Sequence, residues 1–208
     1  MIRIAIDLEL HNDGPLPGNL NPPCGPIIQV GYTFFSTRTG ILHTDGNYIK
    51  TGVPLSPYIQ NLTGITENDI DKRGVTLHQA YLNMVEAFEH FKITYAETEK
   101  SYRQLVEWGS QDSIELKGAL SEVCPDFKWY FGNASLNVKA VYQMYCISND
   151  IKYQGGLGKS LKNMGLEFEP FNDLGKQRGQ HDARADSLNT AKIYLKLQEF
   201  VRSKGATL

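Results

Sequence analysis

A chain of 208 residues suits one domain, 1–208, long enough to bury a real core without disulfides or a structural metal. Hydrophobic residues at 41% and charged ones at 21% are ordinary for a soluble globular protein, and a formal charge of −2 gives no global basic signal for nucleic acid. From Lys152 onward ten Lys/Arg stand against six Asp/Glu, leaving +4 there and −6 in the first 151 residues, which is either phosphate-attracting charge or solvated surface.

The first element, residues 2–10 (IRIAIDLEL), reads as a β-strand. Its Asp7 and Glu9 are two apart, so their side chains leave one face. The apolar residues around them place the strand deep in a sheet, where two ionised carboxylates repel and lose hydration unless something positive joins them. A divalent metal with oxygen ligands answers that cost, and a pair of water-facing strand acids is the ordinary alternative. A Pro/Gly/Asn loop, HNDGPLPGNLNPPCGP, follows directly, and loops of that length are often functional. Residues 27–36 and 41–50 read as further strands. Residues 76–92 carry a helical stripe of Leu77, Tyr81, Met84, Val85 and Phe88 with Thr76 as N-cap.

A short strand is expected at Leu105–Trp108, a helix from Asp112 to Val123, and another short strand near Phe127–Phe131. Asp112-Ser-Ile-Glu115 fits a capping box, so the Asp112 carboxylate either caps its helix or, from a strand-to-helix turn, reaches a metal. Helices follow near 137–148 and 158–164, and a long one runs from about Asp182 to Arg202. Three strands, then strands alternating with helices, make a mixed sheet covered by helices, an α/β domain.

His181 and Asp186 stand five apart, about 140° around a helix, so they converge only if His181 precedes the helix and Asp186 projects from its first turns. Asp186 falls on the same stripe as Ile193, Leu197 and Phe200, which puts a carboxylate on a core-facing surface. The ordinary alternative is a helix-dipole acid beside a surface histidine. GGLGKS at 155–160 ends like a phosphate-binding loop, but Tyr153 occupies the position of its first glycine, so it reads as a turn opening a helix with Lys159 and Lys162 exposed. Cys24, Cys124 and Cys146 are odd in number and far apart, which argues against disulfides and zinc and fits a reducing cytoplasm. There is no apolar leader and no run of membrane-spanning length, so the glycosylation patterns at Asn61 and Asn133 carry no weight.

In order along the chain, these motifs resemble the DEDDh, or DnaQ-like, 3′–5′ exonucleases. IDLEL resembles their first motif, IIQVGYTFF the second strand, and LTGIT a segment before the first long helix. WGSQDSIEL resembles the second motif and HDARADSLNTAKIY the third. Trp108-Gly109 and HDARAD are similar to the branch with KapD-like and Eri-type enzymes. Gln29 stands where many members have Glu, and Ser110 where that branch often has an acid.

The resemblance implies a ribonuclease-H-like fold with three N-terminal strands plus two shorter ones flanked by helices. It implies two divalent ions, Mg²⁺ or Mn²⁺, held by Asp7, Glu9, Asp112 and Asp186, with Asp7 shared between them. In-line attack of water on a phosphodiester needs a deprotonated nucleophile and stabilised charge, which two ions about 4 Å apart supply. His181 then serves as general base. The expected substrate is single-stranded nucleic acid with a free 3′ end, RNA slightly ahead of DNA, released as nucleoside monophosphates. A non-catalytic nucleic-acid-binding or adaptor domain of this fold, and a ribonuclease-H-like endonuclease or transferase, are the rival classes. Trp108, Tyr130 and Phe131 either stack terminal bases or belong to strand core.

Overall fold

The computed structural model describes residues 1–11, 25–96 and 100–205. The body of the Pro/Gly/Asn loop expected after the first strand, residues 12–24, lies outside the described residues.

Five strands form one sheet: β1 (Ile2–Leu10), β2 (Ile27–Ser36), β3 (Gly40–Tyr48), β4 (Ser101–Glu107) and β5 (Leu136–Asn137), in the order β3-β2-β1-β4-β5. β2 runs antiparallel to β1 and β3, whereas β4 runs parallel to both β1 and β5. The sheet is mixed, and β1 is its middle strand.

That position explains the composition of β1. Alternate residues leave opposite faces. Ile2, Ile4, Ile6 and Leu8 enter a core with Leu77, Tyr81, Met84 and Phe88 of α3 (Leu77–Thr94) and Leu116 and Leu120 of a later helix, Asp112–Val123. Ala5, on the other face, meets Tyr142, Leu161 and the Ile193/Tyr194/Leu197 stripe. Those residues come from α5 (Val138–Ser148), α6 (Leu157–Asn163) and α7 (Ala183–Ser203). Helices thus cover both faces, and each fully buried isoleucine of β1 contributes about 1.5–3 kcal/mol.

Two short helices precede α3: α1 (Pro57–Thr63), capped by Ser56, and α2 (Glu67–Arg73), whose Thr66–Asp69 capping box has both hydrogen bonds in place. α4 is the helix Asp112–Val123. Between α6 and α7 a hairpin of β6 (Phe171–Asp173) and β7 (Lys176–Arg178) forms a second, two-stranded sheet.

One expectation is corrected. Phe127–Phe131 is no strand; the fifth strand is Leu136–Asn137. Tyr81 of α3 takes over part of the backbone pairing, accepting from the Tyr130 amide at 2.6 Å and donating to the Lys128 carbonyl at 3.0 Å. The rings of this run pack on α3 instead, Trp129 stacked 5.6 Å from Tyr81 and Phe131 edge-on at 6.0 Å to Phe88. Tyr130 is likewise tied back, its hydroxyl bonded to Glu89 and its ring under Arg103.

Candidate active site

Alternation puts Asp7 and Glu9 on the face of β1 opposite the isoleucines, the side covered by α7. Asp7 pairs with Gly31 and Glu9 with Gln29 on β2. At Gly31 an added Cβ would come within 2.1 Å of the Ala183 backbone. The first turn of α7 therefore rests directly on β2, and this contact carries Asp186 down to the two acids.

Asp112 comes from the start of α4, which packs on the isoleucine face of β1 through Leu116 and Leu120. The capping reading does not hold: the N-cap of α4 is Gln111, with no side-chain cap bond, and Asp112 is the first helical residue. Glu107, fully buried at the end of β4, does the anchoring instead. Its carboxylate accepts from the Ser113 amide at 3.2 Å and hydroxyl at 2.9 Å.

The four carboxyls sense one another. Burial pushes Asp7 well above the usual carboxylate range, with Asp112, Asp186, Glu9 and Asp182 adding repulsion in that order. Glu9 is raised likewise by burial, then Asp186, Asp182 and Asp112. Asp112 is pushed up to about 7 by burial and Glu107, against the pull of backbone amides at Asp112 and Leu8. Asp186 also rises to about 7 through burial and Asp182, opposed by the His181 amide. Such crowding is what an unneutralised multi-carboxylate site produces.

His181 sits two residues before α7, with its ring exposed and its backbone in the left-handed region at φ 64°. That conformation costs a non-glycine residue on the order of 1–2 kcal/mol. Its amide donates to Asp186 Oδ2 at 3.1 Å. Ligand atoms of Glu9, His181 and Asp186 all lie within 4.8 Å of one another. Asp186 Oδ1 is buried with no hydrogen-bond partner among the described residues. An orphaned carboxylate oxygen within a set of hard oxygen donors fits a divalent cation.

Sequence reasoning missed what holds this segment in place. Asp182, one residue past His181, is fully buried and caps α7 through the Arg184 amide at 3.1 Å. Gln29 bridges it to the sheet, donating to Asp182 Oδ2 at 3.1 Å and accepting from the Ala183 amide at 2.8 Å. The Arg184 guanidinium reaches Asp182 at 2.7 Å, Tyr48 at 2.8 Å and Asp173 of the hairpin at 3.2 Å. Asp173 also takes Arg73 of α2 at 2.7 Å, and Arg178 closes the set on Asp69 at 3.1 Å. Three arginines balance three aspartates, so the buried ions are paired as such groups must be. The available signal was the capping box at Thr66 and the Asp-Leu-Gly-Lys turn at 173–176; the pairing between them crosses about a hundred residues.

Trp108 is half-buried, its indole donating to the Gly155 carbonyl at 3.3 Å and its ring 5.9 Å from Tyr142. It ties the end of β4 to the loop before α6.

No protein-family model and no curated protein matches the chain. Solved structures do. The nuclease domain of 3′hExo, a DEDDh family member bound to rAMP, superposes with a TM-score of 0.71 at 20% identity, covering 96% of this chain and 92% of that one. A 3′-exonuclease recognising the 3′ end of the histone mRNA stem-loop gives 0.73 at 20% identity, over 96% and 82%. Cell-death related nuclease 4 gives 0.72 at 20% identity, over 96% of this chain but 64% of its own length. The chain therefore has the ribonuclease-H-like α/β fold of the DEDDh 3′-exonucleases.

Proposed function

We propose that the chain is a metal-dependent 3′–5′ exonuclease that releases nucleoside monophosphates from 3′ ends of single-stranded nucleic acid. The observation that carries this reading is the approach of Glu9, His181 and Asp186 to within 4.8 Å of one another beside an orphaned Asp186 oxygen, with Asp112 near enough to add to the repulsion on both Asp7 and Glu9. A non-catalytic domain has no need of such crowding.

Asp7, Glu9, Asp112 and Asp186 would hold two Mg²⁺ or Mn²⁺ ions. When bound, these supply charge stabilisation on the phosphate and leaving oxygen. The chain's own contribution is orientation and proton handling. His181, exposed at the mouth and fixed by its amide to Asp186, takes the proton of the attacking water as the phosphodiester P–O bond breaks toward the 3′ oxygen of the shortened chain. Gln29, Asp182 and Arg184 keep the His181 backbone in its strained conformation.

RNA is placed slightly ahead of DNA, because two of the structural neighbours hold rAMP or recognise an RNA stem-loop. With a formal charge of −2 the surface grips few phosphates, so binding should be weak, fall gently with salt, and trim short ends distributively. No helix among the described residues is long and apolar enough to cross a membrane, and the widely spaced cysteines favour a reducing cytoplasm.

Digestion of 5′-labelled single-stranded RNA and DNA, side by side with 3′-blocked and circular forms, tests the proposal. We expect a ladder shortening from the 3′ end, abolished by EDTA and by Asp7→Asn. Cleavage of the circle, or activity indifferent to EDTA, would overturn it.

A further inference from the structure

GGLGKS, at the start of α6, shares a cavity with His181 and Asp186. A cavity of about 410 Å³ opens beside His181 and Asp186, and its far wall is Gly155, Gly156, Gly158, Lys159 and Gln180. The wall is braced from behind. Trp108 holds the Gly155 carbonyl, and the buried Ser160 hydroxyl reaches the carbonyls of Gln154 at 2.8 Å and Gly156 at 2.9 Å.

Gly158 lies within α6, where glycine is a poorer helix former than alanine. What its missing side chain permits is visible: a Cβ there would stand 2.0 Å from Gln180 Nε2. The Gln180 carboxamide rests on the bare backbone of Gly158, and it has no hydrogen-bond partner among the described residues. Gln180 is exposed, so its amide donor and carbonyl acceptor face solvent at the cavity wall, one residue from His181. Lys159 brings positive charge to a rim whose other ionisable members are His181 and Asp186.

We propose that Gln180, seated on Gly158, is a specificity-determining residue that hydrogen-bonds the 3′-terminal nucleoside, with Lys159 facing its phosphate. This rests on the exonuclease reading for its substrate, and on the cavity wall for its chemistry. The three atoms nearest a methyl at position 158 all belong to the Gln180 amide, so Gly158→Ala displaces Gln180 with the fold kept.

The test uses the full chain as wild type, Gln180→Ala and Gly158→Ala. Each is assayed on short oligonucleotides differing only in the terminal base, and on the same set ending in a 2′-deoxy sugar. Binding of the four nucleoside monophosphates, titrated with Mn²⁺ present, is measured in parallel. One lost hydrogen bond is worth about tenfold in kcat/KM, so wild type should separate its best and worst termini by about that factor. Both variants should erase the separation through KM, with Gly158→Ala melting no lower than wild type. The base and sugar series identify which group is read. Selectivity and monophosphate affinity unchanged in both variants would overturn the proposal, as would a wild type that does not discriminate. If wild type hydrolyses nothing, the exonuclease reading fails alone, and the monophosphate titration still decides the role of Gln180.

Discussion

Glu107 holds Ser113 by both its amide and its hydroxyl, at 3.2 and 2.9 Å, and this pair sets where Asp112 points. The first turn of α4 has no side-chain cap from Gln111, so its anchoring comes from a carboxylate on the neighbouring strand. Asp112 is thereby left out of capping, near enough to Asp7 and Glu9 to add to their repulsion. Ser113→Ala leaves a fully buried Glu107 with one partner fewer, at a cost of about 1–3 kcal/mol. We expect chemical denaturation to register that loss, and Mn²⁺ titration to show weaker binding because Asp112 is less well held. An unchanged Mn²⁺ isotherm would confine the pair to a structural role.

The acidic cluster predicts how stability follows pH. Asp112 and Asp186 stand at about 7 in the folded chain, against an ordinary 3.8. Between those values the folded state binds more protons than the unfolded one, so metal-free stability falls as pH rises. The melting temperature in EDTA should therefore be higher near pH 5.5 than near pH 8. Mn²⁺ should reverse the order, since on the proposed reading it would bind the ionised carboxylates of the folded state alone. Asp7→Asn should raise the metal-free melting temperature at pH 8 while removing the response to Mn²⁺. A metal-free protein no less stable at pH 8 would refute the crowding.

Much of this site could be read before the fold was known, because the spacing of its residues is local. Asp7 and Glu9 declare a shared face by standing two apart in an apolar strand, and α7 declares its buried stripe from Asp186 through Ile193 to Leu197. What could not be read was long-range pairing. Arg73, Arg178 and Arg184 look like ordinary surface charges until Asp69, Asp173 and Asp182 are brought to them. The hairpin Phe171–Arg178 escaped for the same reason: its three-residue strands have no periodicity, and its anchor is the ion network. Phe127–Phe131 misled in the opposite direction, since aromatic content signals a strand whether the rings meet a sheet or, as here, a helix.

The ion network makes its own prediction. Arg184 is buried between Asp182, Asp173 and the rings of Tyr48 and Phe171. Removing it strands the buried Asp182, while Asp173 keeps Arg73 and Arg178, and breaking a buried pair costs about 3–5 kcal/mol. Arg184→Met should show that loss, and should lower activity through the displaced His181 segment. Acid acts on the same bonds. Burial alone would raise Asp69, but Thr66, Arg178 and Arg73 outweigh it and hold it at about 2. Burial is likewise outweighed at Asp173 by Arg73, Tyr48 and Arg184, which keep it below the usual range. These depressed carboxyls stabilise the fold above about pH 4, and that contribution is lost as pH falls toward 2. The variant should therefore lose part of the wild type's acid transition; an identical acid profile would show that the network contributes nothing to stability.

His181 supports two roles that one variant separates. Its ring lies close enough to Glu9 and Asp186 to join them around a cation, yet it is exposed, and its amide rather than its ring is what Asp186 holds. A general base needs that freedom to meet the attacking water, and a ligand would be expected to point inward with the carboxylates. His181→Ala should cut turnover by on the order of 10²–10⁴ while leaving the Mn²⁺-induced rise in melting temperature intact. Loss of the Mn²⁺ response together with turnover would make His181 a ligand and require another base; near wild-type turnover would remove it from the chemistry altogether.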